Sequence, residues 1–238
     1  MNFRNLLKTS VFGITLLAIG AVGGLDAAIN LSTATGTWNN ATGNPVNYTG
    51  NGTSTIHWGN AVSGGNKSGY NYTGLAPQNN IGIDTAFAIG TFTHYNYPIT
   101  GNTLTGVDLN VHEGLVVNGT AVNFSGTYKF NHNETPNVGG NNCCNDIVTF
   151  LNNMSTLSTF KVNGEDYTIA LLGFKTTANG PLLSQFSTIE GKTNTATLYA
   201  KITKHVGVPE PSTYLMMSAF LGVAFVLAYR RKKVSIRS

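Results

Sequence analysis

The run Val122-Asn123-Phe124-Ser125-Gly126-Thr127-Tyr128-Lys129-Phe130 decides the fold class. Successive side chains of an extended chain point to opposite sides, so Val122, Phe124, Gly126, Tyr128 and Phe130 share one face and the polar residues the other. That alternation is a half-buried strand, with glycine sitting on the apolar side. Moving outward, Thr105 to Val111 repeats the pattern with Val107, Leu109 and Val111 inward. Ala196, Leu198, Ala200 and Ile202 do so again, opposite Thr197, Tyr199, Lys201 and Thr203. Tyr167 to Phe174 is more continuously apolar and reads as a central strand, entered through a turn at Asn163-Gly164. Ala86 to Thr93 is another strand. The 27 asparagines between Asn30 and Asn194 favour turns and oppose long helices. No sustained 3.6-residue period appears outside the two ends. The expectation is an all-β protein, an antiparallel, jelly-roll-like β-sandwich over residues 29–207. Its Asn/Gly-rich part, 29–80, reads as a looser, extended edge region.

The chain has 238 residues and a net charge of +4, which on its face suggests nucleic acid or acidic lipid. The position of the charges removes that reading. Arg4, Lys8 and the cluster Arg230, Arg231, Lys232, Lys233 and Arg237 lie at the ends, whereas Ala27 to Gly207 holds seven lysines, no arginine and eight acids. A body so near neutral lacks the basic patch that nucleic acid requires.

The ends have their own logic. A basic start runs into the apolar stretch Val11 to Gly24 and then small residues at Ala27 and Ala28, the pattern of a signal peptide helix over 1–28. At the other end Val208-Pro209-Glu210-Pro211 precedes an apolar run, read as one transmembrane helix over 214–229, and a basic tail over 230–238. The prolines keep the backbone extended and open to a protease. Arg230, Arg231, Lys232 and Lys233 hold the extreme C-terminus in the cytoplasm by the positive-inside rule. The intervening domain therefore lies outside the cytoplasmic membrane.

Pro209-Glu210-Pro211, a short span and an Arg/Lys-rich tail, in that order, resemble the PEP-CTERM sorting signal of Gram-negative bacteria that carry exopolysaccharide systems. The resemblance implies processing by an exosortase near Pro209-Glu210-Pro211, transient anchoring in the cytoplasmic membrane, and display at the cell surface or in the extracellular matrix. Glu210 is then a recognition residue of a substrate. Gly90-Thr91-Phe92-Thr93-His94-Tyr95-Asn96-Tyr97-Pro98-Ile99, Cys144 to Val148 and Tyr167 to Phe174 look like the choice-of-anchor K domain. That family shares an extracellular domain attached to different anchors, and it supplies no catalytic residues to carry over.

Candidate chemistry is sparse. Cys143 and Cys144 are the whole cysteine complement, in a compartment where disulfides form. They can close as an eight-membered ring, pair with another chain, or remain thiols, and they are too few for a metal site. Asp146, amid Asn141, Asn142 and Asn145 with Glu134 upstream, offers hard oxygen ligands for Ca²⁺. The alternating-acid calcium loop is absent, so Asp146 reads as bracing a turn and no metal site or cofactor is expected. His94 beside Tyr95, Asn96 and Tyr97 reads as a structural partner, and His112 adjoins Glu113 without a catalytic motif around either. No catalytic residue is assigned. Trp58, Tyr95 and Tyr97 are candidate glycan-binding aromatics, since stacking beside short polar groups suits sugar rings. Sequons such as Asn47-Tyr48-Thr49 and Asn118-Gly119-Thr120 follow from composition. The function expected is a noncatalytic structural or adhesive role in the envelope or exopolysaccharide. A carbohydrate-binding module is the alternative, and a secreted hydrolase a more distant one.

Overall fold

A computed structural model describes residues 28–136, 144–151, 157–205 and 220–221. Its strands are β1 (Ile29–Leu31), β2 (Thr35–Thr42), β3 (Thr55–Trp58), β4 (Asn60–Ala61), β5 (Ser68–Gly74), β6 (Gln78–Ile81), β7 (Ala86–Asn96) and β8 (Ile99–Thr100), followed by β9 (Gly106–Val117), β10 (Thr120–Asn133), β11 (Asp146–Phe150), β12 (Leu157–Val162), β13 (Glu165–Lys175), β14 (Gln185–Thr188) and β15 (Lys192–His205). The all-β, antiparallel expectation is met. One sheet runs β14-β11-β10-β9-β1-β6, with β2 also on β9; a second runs β12-β13-β15-β7-β5-β3; β4 and β8 form a small ribbon. Register shifts at Leu171/Gly173 in β13 and Leu198/Tyr199 in β15 interrupt the ladders of the second sheet, and such bulges increase local twist.

Alternation governs which residues enter the core. Along β10, Phe124, Gly126, Tyr128, Phe130 and His132 are buried and the residues between them are exposed. Two Asn-Gly turns set the hairpins. Asn163-Gly164 joins β12 to β13, as expected, with φ of 51° and 83° and Val162 opposite Glu165. Asn118-Gly119 does the same between β9 and β10, with φ of 50° and 80° and Val117 opposite Thr120. Both central residues of such a turn need positive φ, which Asn and Gly tolerate. The run noticed for its sequon is therefore the turn that fixes the register of the longest hairpin.

The two sheets face each other across a single core. Trp38 of β2 meets Phe92 of β7 at 5.8 Å and Phe130 of β10 at 5.7 Å between ring centroids, and Phe92 stacks on Phe130 at 5.8 Å and 13°. Tyr72 lies between the layers: a Cβ on Gly36 or on Gly90 would come within 2.4 Å of its ring. Its hydroxyl donates to the Ile89 carbonyl at 2.9 Å. The region 29–80 does supply edge strands, β6 and β3. It is also built into both layers, because Trp38, Trp58, Tyr70 and Tyr72 are all buried. The expected signal helix and transmembrane helix lie outside the described residues, apart from Ala28 and the helical pair Phe220 and Leu221. Among the described residues no helix is long and apolar enough to cross a membrane.

Candidate functional site

At one end of the core the inward residues change from aromatic to polar. On β7 the inward row Phe92, His94, Asn96 makes the change after Phe92. On β10 it comes between Phe130 and His132. Strand β11 begins with inward Asp146, paired in register with Thr188 at the end of β14. The same period-two rule that builds the core thus places these groups opposite one another across the two sheets. His94, His132 and Asp146 are all buried, and each offers one ligand atom within 4.8 Å of the others.

The hydrogen bonds orient both rings. Thr188 Oγ1 donates to the Asp146 carbonyl at 3.3 Å and accepts from Asn96 Nδ2 at 3.3 Å. It is therefore an acceptor for His94 Nδ1–H, 2.9 Å away. That tautomer leaves a lone pair on His94 Nε2, which is buried without a hydrogen-bond partner. His132 Nδ1 lies 2.6 Å from the Tyr70 hydroxyl, and its Nε2 lies 3.1 Å from Glu134 Oε2 and 3.8 Å from Asp146 Oδ2. Asp146 Oδ1 accepts from the Thr135 N–H at 2.9 Å. The segment it braces is thus eleven residues upstream, just past the end of β10, rather than its own turn. Asp146 Oδ2, Glu134 Oε1 and both carboxyl oxygens of Glu190 are buried without hydrogen-bond partners.

Electrostatics follow from this enclosure. Burial, then the neighbouring His132, holds His94 well below the ordinary histidine range. Burial, then Glu134, pushes Asp146 up to about 8 against the pull of its Thr135 hydrogen bond. Burial and Glu134 also raise Glu190. Among the described residues no lysine or arginine forms an ion pair with Glu134, Asp146 or Glu190. Two imidazoles and a carboxylate converging on one point are a metal-ligating set by type.

Of the three aromatics singled out for glycan stacking, Trp58 belongs inside. It is fully buried, T-shaped against Tyr70 at 4.9 Å and His132 at 5.3 Å, and walls the cluster; an enclosed ring presents no face to a sugar. Tyr95 and Tyr97 do share a surface pocket of about 400 Å³ with His57, Asn66 and Lys67. His57 stacks on Tyr95 at 5.7 Å and 26°, and the Tyr97 hydroxyl meets Thr193 Oγ1 at 3.1 Å. His112 bonds Ser125 Oγ at 2.6 Å on the exposed face of the sheet, while its neighbour Glu113 points into the core. Cys144 is disulfide-bonded with φ of 78°, and Cys143 lies outside the described residues.

The sequence reading sets Asp146 with Glu134 as candidate Ca²⁺ ligands and His94 apart from them, and it does not single out His132. The alternation of His132 and Glu134 at the end of β10 was the local signal available. Their meeting with His94 depends on how two sheets stack, which no spacing along the chain expresses. Pro209, Glu210, Pro211 and the basic tail lie outside the described residues, beyond β15, which ends at His205.

The model of the PEP-CTERM protein-sorting motif matches residues 207–232. The match supports an exported protein, made as a membrane-anchored precursor and processed by an exosortase. No curated protein matches the chain.

Proposed function

We propose that the chain is a noncatalytic structural or adhesive component of the cell envelope or exopolysaccharide matrix. A signal peptide delivers it, and exosortase processing displays at the cell surface a jelly-roll-like sandwich of the choice-of-anchor K kind. The observation that carries this reading is the order along the chain: strand β15 ends at His205 and the sorting motif begins at 207. A folded β domain followed at once by a processing signal is the layout of a displayed module. The enclosure of the His94–His132–Asp146 cluster supports the noncatalytic part, since a group shut off from solvent cannot reach a substrate. Replacing Pro209, Glu210 and Pro211 by alanine in the native host tests the route. The expected result is a precursor of higher mass held in the membrane fraction; unchanged mass and unchanged surface display would make 214–229 an ordinary membrane anchor.

The pocket of His57, Tyr95 and Tyr97 favours one second reading, a carbohydrate-binding module. Stacked aromatic faces beside Asn66 and Lys67 match the pattern of sugar recognition. Tyr95→Ala and Tyr97→Ala are expected to abolish binding to host exopolysaccharide while leaving the thermal midpoint within a few degrees of wild type. Absence of binding by the wild-type chain to every host polysaccharide would remove this reading and leave the structural one.

A further inference from the structure

We propose that His94, His132, Asp146 and Glu134 form a structural site for a divalent transition metal of the Zn²⁺ class, clamping the two sheets together at this end of the core. Four independent features converge on it.

Unpartnered atoms are the first. His94 Nε2 and Asp146 Oδ2 are buried without hydrogen-bond partners, and a buried polar atom left unpaired forfeits the water it gave up on folding. An ion accepting both lone pairs makes good that loss. The second is the outer ring of contacts. A metal-bound histidine normally engages its other ring nitrogen with a protein group that fixes its orientation. His94 Nδ1 has Thr188 Oγ1 at 2.9 Å and His132 Nδ1 has the Tyr70 hydroxyl at 2.6 Å. Asp146 is likewise held, through Oδ1, by Thr135.

Charge is the third. Asp146 is buried and the half-buried Glu134 and Glu190 lie beside it, where the described residues supply no lysine or arginine partner. Buried carboxylates without counter-charges are strongly disfavoured, and a divalent cation is the compensation that fits. Ligand type is the fourth. Two imidazole nitrogens with carboxylate oxygens suit Zn²⁺ and its first-row neighbours, whereas Ca²⁺ takes six to eight oxygens.

Four protein ligands close a tetrahedral shell, which is the structural rather than the catalytic form. Bonds of about 2.0–2.1 Å place tetrahedral ligands roughly 3.3 Å apart. His132 Nε2 and Glu134 Oε2, at 3.1 Å, are already there. The separations among His94, His132 and Asp146, all within 4.8 Å, close by side-chain rotation as the ion draws β7 of one sheet toward β10 and β11 of the other.

The test uses the full chain in detergent, stripped with chelator and re-equilibrated with Zn²⁺ or Co²⁺. The expected result is one Zn²⁺ per chain by elemental analysis, tetrahedral Co²⁺ absorption, and a thermal midpoint that falls on stripping. Asp146→Asn should abolish stoichiometric binding. Tyr70→Phe, which removes only a hydroxyl, should weaken Zn²⁺ binding about 10- to 100-fold while the fold persists. If Asp146→Asn does not fold, the Tyr70→Phe affinity decides. A folded wild-type chain without stoichiometric Zn²⁺, stoichiometric Ca²⁺ in preference to Zn²⁺, or Zn²⁺ affinity untouched by Tyr70→Phe would each overturn the proposal.

Discussion

Glu113 is the inward acid on β9, and burial pushes its carboxyl up to about 7 from an ordinary value of 4.5. Its Oε2 has no hydrogen-bond partner, and the hydroxyls of Tyr72 and Tyr128 are raised first by burial and then by Glu113. For an acid whose folded pKa is raised, the native state holds the proton more tightly than the unfolded chain. Stability from this group is therefore fully present below about 4.5 and is lost as pH rises through about 7. Glu113→Gln cannot ionise. Its unfolding free energy relative to wild type should improve between pH 4 and pH 8, by at most about 3 kcal/mol at roughly 1.4 kcal/mol per pKa unit. Denaturant titrations at the two pH values check this, and a difference that did not change with pH would show Glu113 to be solvated. Gly90 makes a steric prediction at the same scale. Its missing Cβ is the space that the Tyr72 ring fills, and Gly36 closes the other side. Gly90→Ala should cost about 1–3 kcal/mol by overpacking, read as a lowered denaturant midpoint at unchanged slope.

At the scale of elements, Asn118-Gly119 fixes how β9 meets β10 over twelve residues of β9. A Cβ at Gly119 would touch nothing within 4 Å, so the cost of Gly119→Ala is that of its φ of 80°. About 1–2 kcal/mol is expected, and Gly119→Asn should cost less because asparagine tolerates that region. Comparable losses for both variants would mean that the turn conformation is not what matters. The strands were legible because alternation is a local property: Val122 to Phe130, Tyr167 to Phe174, Ala86 to Thr93 and Ala196 to Ile202 lie within strands of the structure, and Thr105 to Val111 does so but for Thr105, which precedes β9. The short strands β1 to β6 were harder to read, because Asn/Gly-rich segments satisfy turn and strand chemistry alike. Trp58 shows the limit at the candidate site. Its sequence neighbours are polar, yet its partners Tyr70, His94 and His132 arrive from other strands. His94 and His132 come from different sheets, so their approach to 5.2 Å between ring centroids is a product of layering alone.

At the scale of the whole molecule, the +4 net charge belongs to the ends, and the β domain is nearly neutral. The β domain carries most of its polar groups on the outer faces of two antiparallel sheets, with a buried polar cluster between them at one end of the core. What happens beyond His205 determines where it ends up. The most direct measurement is C-terminal peptide mapping by mass spectrometry of the protein recovered from the native host's surface, compared between cells with and without the exosortase. The account predicts that surface protein from exosortase-positive cells ends near Pro209-Glu210-Pro211 and lacks 214–229, whereas without the enzyme the chain continues to Ser238 and stays with the membrane. Surface protein carrying peptides through Ser238 in both strains would contradict it.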